Sequence, residues 1–347
     1  MARALSMALL ALAALPAAAS ARELQPPFRG GERGAGEMRD TVPRGAPIAT
    51  IAGAKAYKAP DGSRILVDVS PAYRRDDAAI QKFVDFLGRL PHGSELSRLR
   101  LYIATPREVE QLCGGVPGTL ACYVAALRLM IAPGEQRPTT SLSLGYIVAH
   151  EYGHHVAANR SNAPFPASNY GPKSWASQEL VCQGVLEKRY FPGDEGKHYA
   201  SNPGEAWAEA YAQLTYPGAA WAFDPTLKPD AAAFAAARRD VLSPWRGNVT
   251  KRFSGTLGAG DKAKDVSFRL RLDGSLSVAL SGPRNANFDL GVIAAGREQA
   301  RTRDRGSRDK LSPRVVCRKS ASGGQITVRV RRRSGSGRFT VTAKYPG

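Results

Sequence analysis

The sequence predicts an α+β domain followed by an all-β domain with a sandwich or jelly-roll-like topology. The chain has 347 residues, which is enough for roughly two domains. Between residues 63 and 246, strand-period and helix-period apolar patterns follow one another, and the later part is mostly helical. From residue 250 to residue 347, short alternating apolar runs are separated by Gly, Ser, Asn or Asp, and no helical pattern interrupts them. We therefore expect the second domain to begin near residue 250.

The N-terminus has the pattern of a secretory signal peptide over residues 1–21. Arg3 supplies a positive charge, residues 5–15 are apolar, and Ala19-Ser20-Ala21 has the small residues that signal peptidase requires. An apolar run of this length is too short to span a bilayer, and no longer run follows it. We therefore expect a secreted or cell-envelope-associated protein that has no transmembrane segment once the signal peptide is removed.

Residues 22–62 are rich in Gly, Pro and Arg and have little apolar periodicity, which is typical of a linker or a short pro-segment. The predicted strands of the domain that follows cover residues 65–69, 99–103 and 122–131. Its predicted helices cover residues 80–90, 139–159, 175–190, 203–214 and 230–242. The strand at 122–131 is either an edge strand that lines a cleft or an ordinary core strand.

The four cysteines of the chain indicate disulfides, because their number is even and the chain carries an export signal. Cys113 and Cys122 flank a glycine-rich turn that can bring them together. Cys182 and Cys317 would then form the second pair. The sequence contains no CxxC motif, so a thiolate zinc site or a redox dithiol is disfavoured.

Three of the five histidines lie between residues 150 and 155. The stretch His150-Glu151-Tyr152-Gly153-His154 fits the pattern H-E-x-x-H. On a helix the two histidines project about 40° apart, so both imidazoles can reach one metal ion. Glu151 lies beside them, where it can accept a proton from a water molecule at the metal. Zinc suits such a site because it accepts nitrogen and carboxylate ligands and leaves a position open for water.

A catalytic zinc site needs a third protein ligand. The metzincin continuation would place Gly and His where this chain has Ala157 and Arg160, so that class is excluded. A predicted helix that begins after Asn202-Pro203 instead supplies Glu205 and, one turn later, Glu209. Glu205 can ligate the metal while Glu209 hydrogen-bonds a ligand histidine.

Other interpretations of these carboxylates remain open. Glu205 lies three residues after Asn202, so it can also be the reciprocal cap of that helix. Glu179 and Glu187 are alternative ligands, although neither is followed by a second carboxylate four residues later.

These motifs resemble the gluzincin group of zinc metallopeptidases. His150-Glu151-x-x-His154 is followed 51 residues later by Glu205-x-x-x-Glu209. The string Tyr199-Ala-Ser-Asn-Pro-Gly-Glu205-Ala-Trp-Ala-Glu209-Ala-Tyr211 is similar to members whose ligand helix reads Glu-x-aromatic-Ala-Glu. The resemblance covers roughly residues 64–214. It implies a zincin-like catalytic domain.

The resemblance also assigns roles to individual residues. It implies that His150, His154 and Glu205 bind one Zn²⁺ per chain, that Glu151 is the general base and then the acid, and that Glu209 supports a ligand. Members often have a tyrosine shortly before the ligand helix that stabilises the oxyanion, and Tyr199 matches it. His198 and Tyr211 are competitors for that role. The aspartate that commonly follows the ligand glutamate is replaced here by Glu209, whose side chain is longer.

The C-terminal part carries most of the positive charge of the protein. The whole chain has a formal net charge of +19, and residues 251–347 contain 22 Lys or Arg against 7 Asp or Glu, a balance of +15. Phe288-Asp289-Leu290 and the late Gly335-to-Val341 run resemble the bacterial pre-peptidase C-terminal domain, a β-sandwich appended to secreted peptidases.

The charge of this part has two interpretations. Arg331-Arg332-Arg333 can favour an anionic cell-envelope polymer, or the charge can be an ordinary solvated face. Few aromatic residues interleave with the arginines, so we expect no specific nucleic-acid partner.

These observations lead to two expectations from different classes. The first is a secreted zinc peptidase that cleaves a peptide or protein substrate and has a C-terminal β-sandwich. The alternative is a non-catalytic, cationic cell-surface-binding protein built on a zincin scaffold. The intact H-E-x-x-H motif, including Glu151, favours the enzyme.

Overall fold

The computed structural model describes residues 21–27, 53–137 and 140–347. Almost all of the predicted signal peptide therefore lies outside the described residues. The coarse prediction is confirmed, because an α+β region is followed by a β-rich region.

The first region contains a five-stranded sheet in the order β1-β2-β3-β5-β4. Its strands are β1 (Lys55–Lys58), β2 (Arg64–Val69), β3 (Arg100–Ala104), β4 (Cys122–Val124) and β5 (Leu129–Pro133). The three central strands pair in parallel, and β1 and β4 are antiparallel strands at the edges. Their inward side chains, such as Val67 and Leu101, are fully buried in one core shared with the helices.

The described residues of this region form eight α-helices. They are α1 (Asp77–Leu87), α2 (Pro106–Leu112), α3 (Leu144–Ala158), α4 (Ala167–Tyr170), α5 (Lys173–Gln178), α6 (Val181–Leu186), α7 (Pro203–Gln213) and α8 (Ala231–Leu242). No helix in the described part of the chain is both long and apolar enough to cross a membrane.

Local backbone chemistry explains where these elements differ from the predicted ones. The helix predicted from residue 139 begins at Leu144, because the Ser143 hydroxyl accepts the backbone N–H of Tyr146 and caps it. The helix predicted at 175–190 is interrupted at Leu180, which has a positive φ of 54°. The strand predicted at 122–131 is divided into β4 and β5 by a short helical turn.

Parts of the segment predicted as a linker or pro-segment, residues 22–62, take part in the fold. Residues 55–58 form β1. Arg22 exchanges backbone hydrogen bonds with the loop after β2, donating to Ala72 and accepting from Arg74. Gln25 donates its backbone N–H to Gly134. Composition alone did not reveal these contacts, because backbone pairing places little demand on side-chain type.

The C-terminal region is a sandwich of two four-stranded antiparallel sheets. Its strands are β6 (Asn248–Leu257), β7 (Ala263–Leu270), β8 (Gly274–Ser281), β9 (Asn287–Ala294), β10 (Arg297–Arg301), β11 (Lys310–Val316), β12 (Gly324–Ser334) and β13 (Gly337–Pro346). One sheet has the order β10-β9-β12-β7 and the other β11-β8-β13-β6. Apolar side chains of both sheets, including Phe288, Val328 and Val341, form a common buried core.

The sequence did not predict β10 and β11. Residues 297–301 are mostly polar, and residues 310–316 contain a proline. Both strands lie at sheet edges and contain register shifts. Edge strands with polar side chains, bulges and proline avoid pairing with other chains, so they lack the apolar alternation by which a strand is recognised.

A buried lysine lies where the helical region meets the sandwich. The Nζ of Lys173, on α5, donates to the backbone oxygens of Asn162, Ala163 and Asp273 at 3.2, 2.7 and 3.0 Å. It also lies 4.7 Å from the ring centre of Trp245. Because Asp273 directly precedes β8, this charge contacts both regions.

Further contacts join the same two regions. The Arg318 guanidinium donates to the backbone oxygen of Ser177, and the Ser177 hydroxyl accepts the backbone N–H of Asp273 at 2.9 Å. A disulfide links Cys182 on α6 to Cys317 after β11. The regions are therefore joined by covalent and buried polar contacts.

Candidate metal centre

Two packed helices, α3 and α7, carry the predicted ligands. His150 and His154 lie one turn apart on α3. Glu205 lies in the first turn of α7, which starts at Pro203 and is capped by the Asn202 side chain accepting the N–H of Gly204. The cap therefore does not depend on Glu205.

The three side chains converge on one point. His150 Nε2 and His154 Nε2 are 3.3 Å apart, and Glu205 Oε2 lies 3.4 Å from each of them. Zinc holds nitrogen and oxygen ligands at about 2.0–2.1 Å, so neighbouring corners of its tetrahedron are about 3.3–3.4 Å apart. The three donor atoms thus have the spacing of three such corners. Within the described residues, this group can hold a metal ion.

Close approach of the two helices makes this convergence possible. A Cβ added at Gly153 would lie 2.8 Å from the Cα of Ala208 and 3.1 Å from its carbonyl oxygen. The Trp207 indole N–H donates to the Gly153 carbonyl oxygen at 2.8 Å. Glycine at the second variable position of the H-E-x-x-H motif therefore lets α7 cross α3 beside the histidines.

Glu209 and Tyr146 fix the orientation of His150. Glu209 Oε2 lies 3.2 Å from His150 Nδ1, and the Tyr146 hydroxyl donates to Glu209 Oε1 at 2.6 Å. Such a carboxylate fixes the tautomer and the ring orientation of a ligand histidine. Tyr146 was not singled out from the sequence, although it lies four residues before His150 on the same helix face.

The electrostatics of the group depend on burial and on mutual contacts. Burial disfavours the charged form of His150, but its hydrogen bonds with Glu205 and Glu209 outweigh burial and raise the pKa of His150. Burial alone would raise the pKa of Glu205, but the neighbouring His154 and His150 hold it well below its usual range. The Glu205 carboxylate is therefore ionised at neutral pH, which is the form that ligates cations.

Glu151 follows His150 on α3 and is 1% exposed. It is one of the buried residues of this helix. Its carboxyl group is therefore enclosed by protein.

Of the three candidates for the oxyanion donor, the structure brings Tyr199 to the site. Its hydroxyl donates to Glu205 Oε2 at 3.0 Å. His198 instead hydrogen-bonds Asp194 at 2.7 Å. The fully buried Tyr211 donates to the backbone oxygen of Pro91.

The alternative ligands Glu179 and Glu187 lie elsewhere. Glu187 directly follows α6, is solvent-exposed and forms an ion pair of 2.8 Å with Arg189. Glu179, at the end of α5, is partly buried, and burial with the nearby charge of Asp230 raises its pKa to about 8. Neither belongs to the group that can hold a metal ion.

An aromatic group that the sequence analysis did not single out packs against the site. Phe223 stacks against the His150 ring, with ring centres 6.3 Å apart and an angle of 20°. Tyr199 and Trp221 contact Phe223 at 5.6 and 5.9 Å. The segment after α7 thus places aromatic rings beside His150. The spacing Trp-x-Phe shortly after the ligand helix was the available signal.

Strand β4 has features of both interpretations given for residues 122–131. It is an edge strand of the sheet, but its three residues are buried. Cys122 is joined to Cys113 by a disulfide, and the Tyr123 hydroxyl lies 2.9 Å from Nδ1 of His155. Burial lowers the pKa of His155 to about 4, so this third histidine is a neutral packing residue.

Comparison with known proteins yields a partial structural likeness. Neither a protein-family model nor a curated protein matches the sequence. Among solved structures, the chain is similar to the pre-peptidase C-terminal domain of collagenase from Bacillus anthracis, with 11% identity and a TM-score of 0.24. The match covers 27% of this chain and 89% of that one. The two sheets of the sandwich are defined by the strand pairing of this chain itself.

Proposed function

We propose that the chain is a secreted, zinc-dependent peptidase whose metal is held by His150, His154 and Glu205. The observation that carries the proposal is the spacing of 3.3–3.4 Å among two imidazole nitrogens and one carboxylate oxygen. Catalytic zinc sites use such donors and leave a fourth position for water or substrate. When bound, zinc polarises the carbonyl of the peptide bond and makes water nucleophilic at neutral pH.

The residues around the ligands supply the proton transfers. Glu151 accepts the proton of the attacking water and passes it to the leaving amine. The Tyr199 hydroxyl exchanges its hydrogen bond to Glu205 for one to the oxyanion that develops on the carbonyl. The proximity of its hydroxyl to Glu205, 3.0 Å, supports this role. Glu209 and Tyr146 hold His150 in the orientation that ligation needs.

The proposed location and partners follow from the rest of the chain. The signal-like N-terminus supports secretion, and a peptide or protein is the proposed substrate of the metal centre. The balance of +15 in residues 251–347 supports an anionic cell-envelope polymer as partner of the sandwich.

The test combines metal analysis with peptide-library cleavage by the mature protein. We expect about one zinc per chain, cleavage that a chelator abolishes, and recovery when zinc is restored. The Glu151→Gln variant should keep the zinc and the melting temperature, but lose about 10²–10⁴-fold of the turnover, since an amide cannot accept the proton.

Two results would contradict the proposal. Turnover of Glu151→Gln at the wild-type rate would remove Glu151 from the role of general base. Mature protein that holds zinc but cleaves no member of a diverse peptide library would favour the alternative, a non-catalytic surface-binding protein on a zincin scaffold.

A further inference from the structure

We infer that the outer face of the sheet β11-β8-β13-β6 binds an acidic polysaccharide. This inference deepens the anionic partner proposed above for the sandwich, and it does not depend on the metal centre. We call it the β13 face, after one of the two central strands of the sheet.

Strand alternation defines the β13 face. In β13, Phe339, Val341, Ala343 and Tyr345 point into the core, and the alternate residues Arg338, Thr340, Thr342 and Lys344 point outward. Thr342 is paired with Arg252 of β6 on one side. On its other side, Thr342 is paired with Ala279 of β8, which is paired with Lys310 of β11. One row of outward side chains therefore crosses all four strands.

Four exposed cations lie on this face, namely Arg252, Lys310, Arg338 and Lys344. None of them forms an ion pair with an acidic side chain within the described residues. The strand positions that point outward on this face hold no Asp or Glu. The positive charge of the face is therefore not neutralised by the protein.

The opposite sheet differs in this respect. Arg329 pairs with Asp265 at 2.6 Å, Arg331 with Glu298, and Arg333 with Asp289 at 2.7 Å. The arginine run at 331–333 was a candidate anion-binding feature in the sequence, but two of its three arginines form ion pairs within the protein. Charge complementarity therefore favours the β13 face over the arginine run.

Hydroxyl side chains occupy most positions between the cations, among them Thr250, Ser254, Ser277, Ser281, Thr340 and Thr342. Ser254 and Thr340 lie opposite one another, with their hydroxyl oxygens 3.4 Å apart. Each hydroxyl can both donate and accept a hydrogen bond. The face therefore offers neutral polar contacts between widely separated charges.

The spacing of the charges distinguishes among polyanions. Arg338 and Lys344 are six positions apart on one strand, or roughly 20 Å. Arg252 and Lys310 are three strand spacings apart, or roughly 14 Å. Double-stranded DNA has a charge about every 1.7 Å, far denser than this face, and the face offers no aromatic ring on its outward positions for stacking on bases. A polymer with neutral, hydroxyl-bearing units between its acidic groups fits better.

A recess continues the face at the Lys344 end. It has a volume of about 390 Å³ and is lined by Trp245, Arg246, Asn248, Ser275 and Lys344, among others. This volume lies within the range of small-ligand sites, about 300–1,000 Å³. It combines an aromatic ring, two cations, an amide and a hydroxyl, which suits one acidic sugar of the polymer.

The test measures binding of the full-length protein to hyaluronate, in which a neutral sugar separates successive carboxylates. The face variant is Arg252→Ser with Arg338→Ser and Lys344→Ser. The control variant is Lys264→Ser with Arg269→Ser and Arg297→Ser, which removes three exposed cations from β7 and β10 of the other sheet. Neutral dextran, double-stranded DNA and phosphatidylglycerol vesicles are the comparison probes.

We expect the wild type to bind hyaluronate with an affinity that falls as salt rises, and not to bind dextran. The affinity for hyaluronate should fall by at least about tenfold in the face variant and by less than about twofold in the control variant. Equal losses in both variants would overturn the inference, because net charge would then explain binding. Tighter binding to DNA or to vesicles would also overturn it. Failure to cleave peptides with intact hyaluronate binding would count against the proposed peptidase alone.

Discussion

Single side chains determine whether the donor atoms of the candidate metal centre can converge. His150 is held at both ring nitrogens, by Glu205 at 3.4 Å from Nε2 and by Glu209 at 3.2 Å from Nδ1. Glu205 in turn lies 3.4 Å from His154 Nε2. The expected effect on zinc affinity therefore depends on whether the carboxylate that is removed lies beside Nε2 or beside Nδ1 of His150.

Glu205→Ala is expected to lower zinc affinity by more than about 100-fold, because a direct ligand contributes more than the groups that orient ligands. Glu187→Ala is the matched control, since Glu187 is exposed and both of its partners, Gln183 and Arg189, are close to it in the chain. Competition with a zinc-binding dye measures both. Full zinc occupancy in Glu205→Ala at a micromolar concentration would assign the third ligand to another group.

Tyr146→Phe removes the hydroxyl that donates to Glu209 at 2.6 Å. We expect zinc affinity to fall by about tenfold, in the range typical of outer partners of ligand histidines. Tyr190→Phe is the control, because it removes a buried hydroxyl that lies 2.9 Å from that of Thr226. It should lose about 1 kcal/mol of folding free energy and leave zinc affinity unchanged. Equal zinc affinity in all three proteins would contradict the orienting role.

At the scale of elements, the site depends on how closely α7 approaches α3. Gly153 and Ala208 are the point of approach, and the indole of Trp207 joins α7 to the backbone of α3 there. Glu205 and Glu209 flank Trp207 by two residues on each side. A change in helix spacing at this point therefore moves both carboxylates relative to the histidines.

Gly153→Ala tests this dependence. Alanine is better than glycine in a helix by about 1 kcal/mol, so intrinsic propensity predicts stabilisation. The added Cβ would lie 2.8 Å from backbone of α7, and overpacking of this kind costs about 1–3 kcal/mol. We expect lower stability in urea and weaker zinc binding. The control is Gly324→Ala, whose added Cβ would meet no atom within 4 Å, so it should change neither stability nor zinc binding. A Gly153→Ala variant that is more stable than the wild type would contradict the packing argument.

At the scale of the whole molecule, buried polar contacts and a disulfide join the α+β region to the sandwich; this set of contacts is called the joint. Lys173, on α5, is fully buried and reaches the sandwich through Asp273. The Cys182–Cys317 disulfide closes the same joint. We therefore expect a fragment that ends near Trp245 to be destabilised, since Lys173 would lose a hydrogen-bond acceptor and Cys182 its partner.

The joint also predicts a pH dependence of stability. Burial lowers the pKa of Lys173 from 10.5 to about 8. Between these values the unfolded chain binds a proton that the folded chain does not, so the contribution of Lys173 to stability rises as the pH rises from about 8 to 10.5. Burial raises the pKa of the neighbouring Asp240 and Asp273 to about 6, so these groups titrate below this window.

Comparison with Lys173→Met isolates this contribution. The free energy of unfolding, measured by urea denaturation from pH 7.5 to 10.5, should rise more steeply in the wild type than in Lys173→Met. The variant is expected to be less stable overall, because three backbone oxygens lose their donor, but the difference in slope does not depend on that loss. If the free energy of unfolding of the wild type and of Lys173→Met changed with pH in parallel, burial would not lower the pKa of Lys173 in the folded protein.

The sequence by itself was sufficient for features encoded within a few residues. The one-turn spacing of His150 and His154, the cap before Glu205 and the alternation of the sandwich strands depend on local geometry, and the structure has the corresponding elements. Element ends were less accurate, because a single hydroxyl at Ser143 or a positive φ at Leu180 ends a helix whose apolar pattern continues.

Only the tertiary structure decided features that join distant residues. Tyr146 and Phe223 reach the candidate metal centre because α3, α7 and the segment after α7 pack together, and this packing joins residues that are far apart in the sequence. Likewise, Arg331 has the same charge in the sequence as Lys344, but it is paired with Glu298 across the sheet, 33 residues away. The physical reason is that periodicity determines which face a residue occupies, whereas the partners on that face are set by long-range packing.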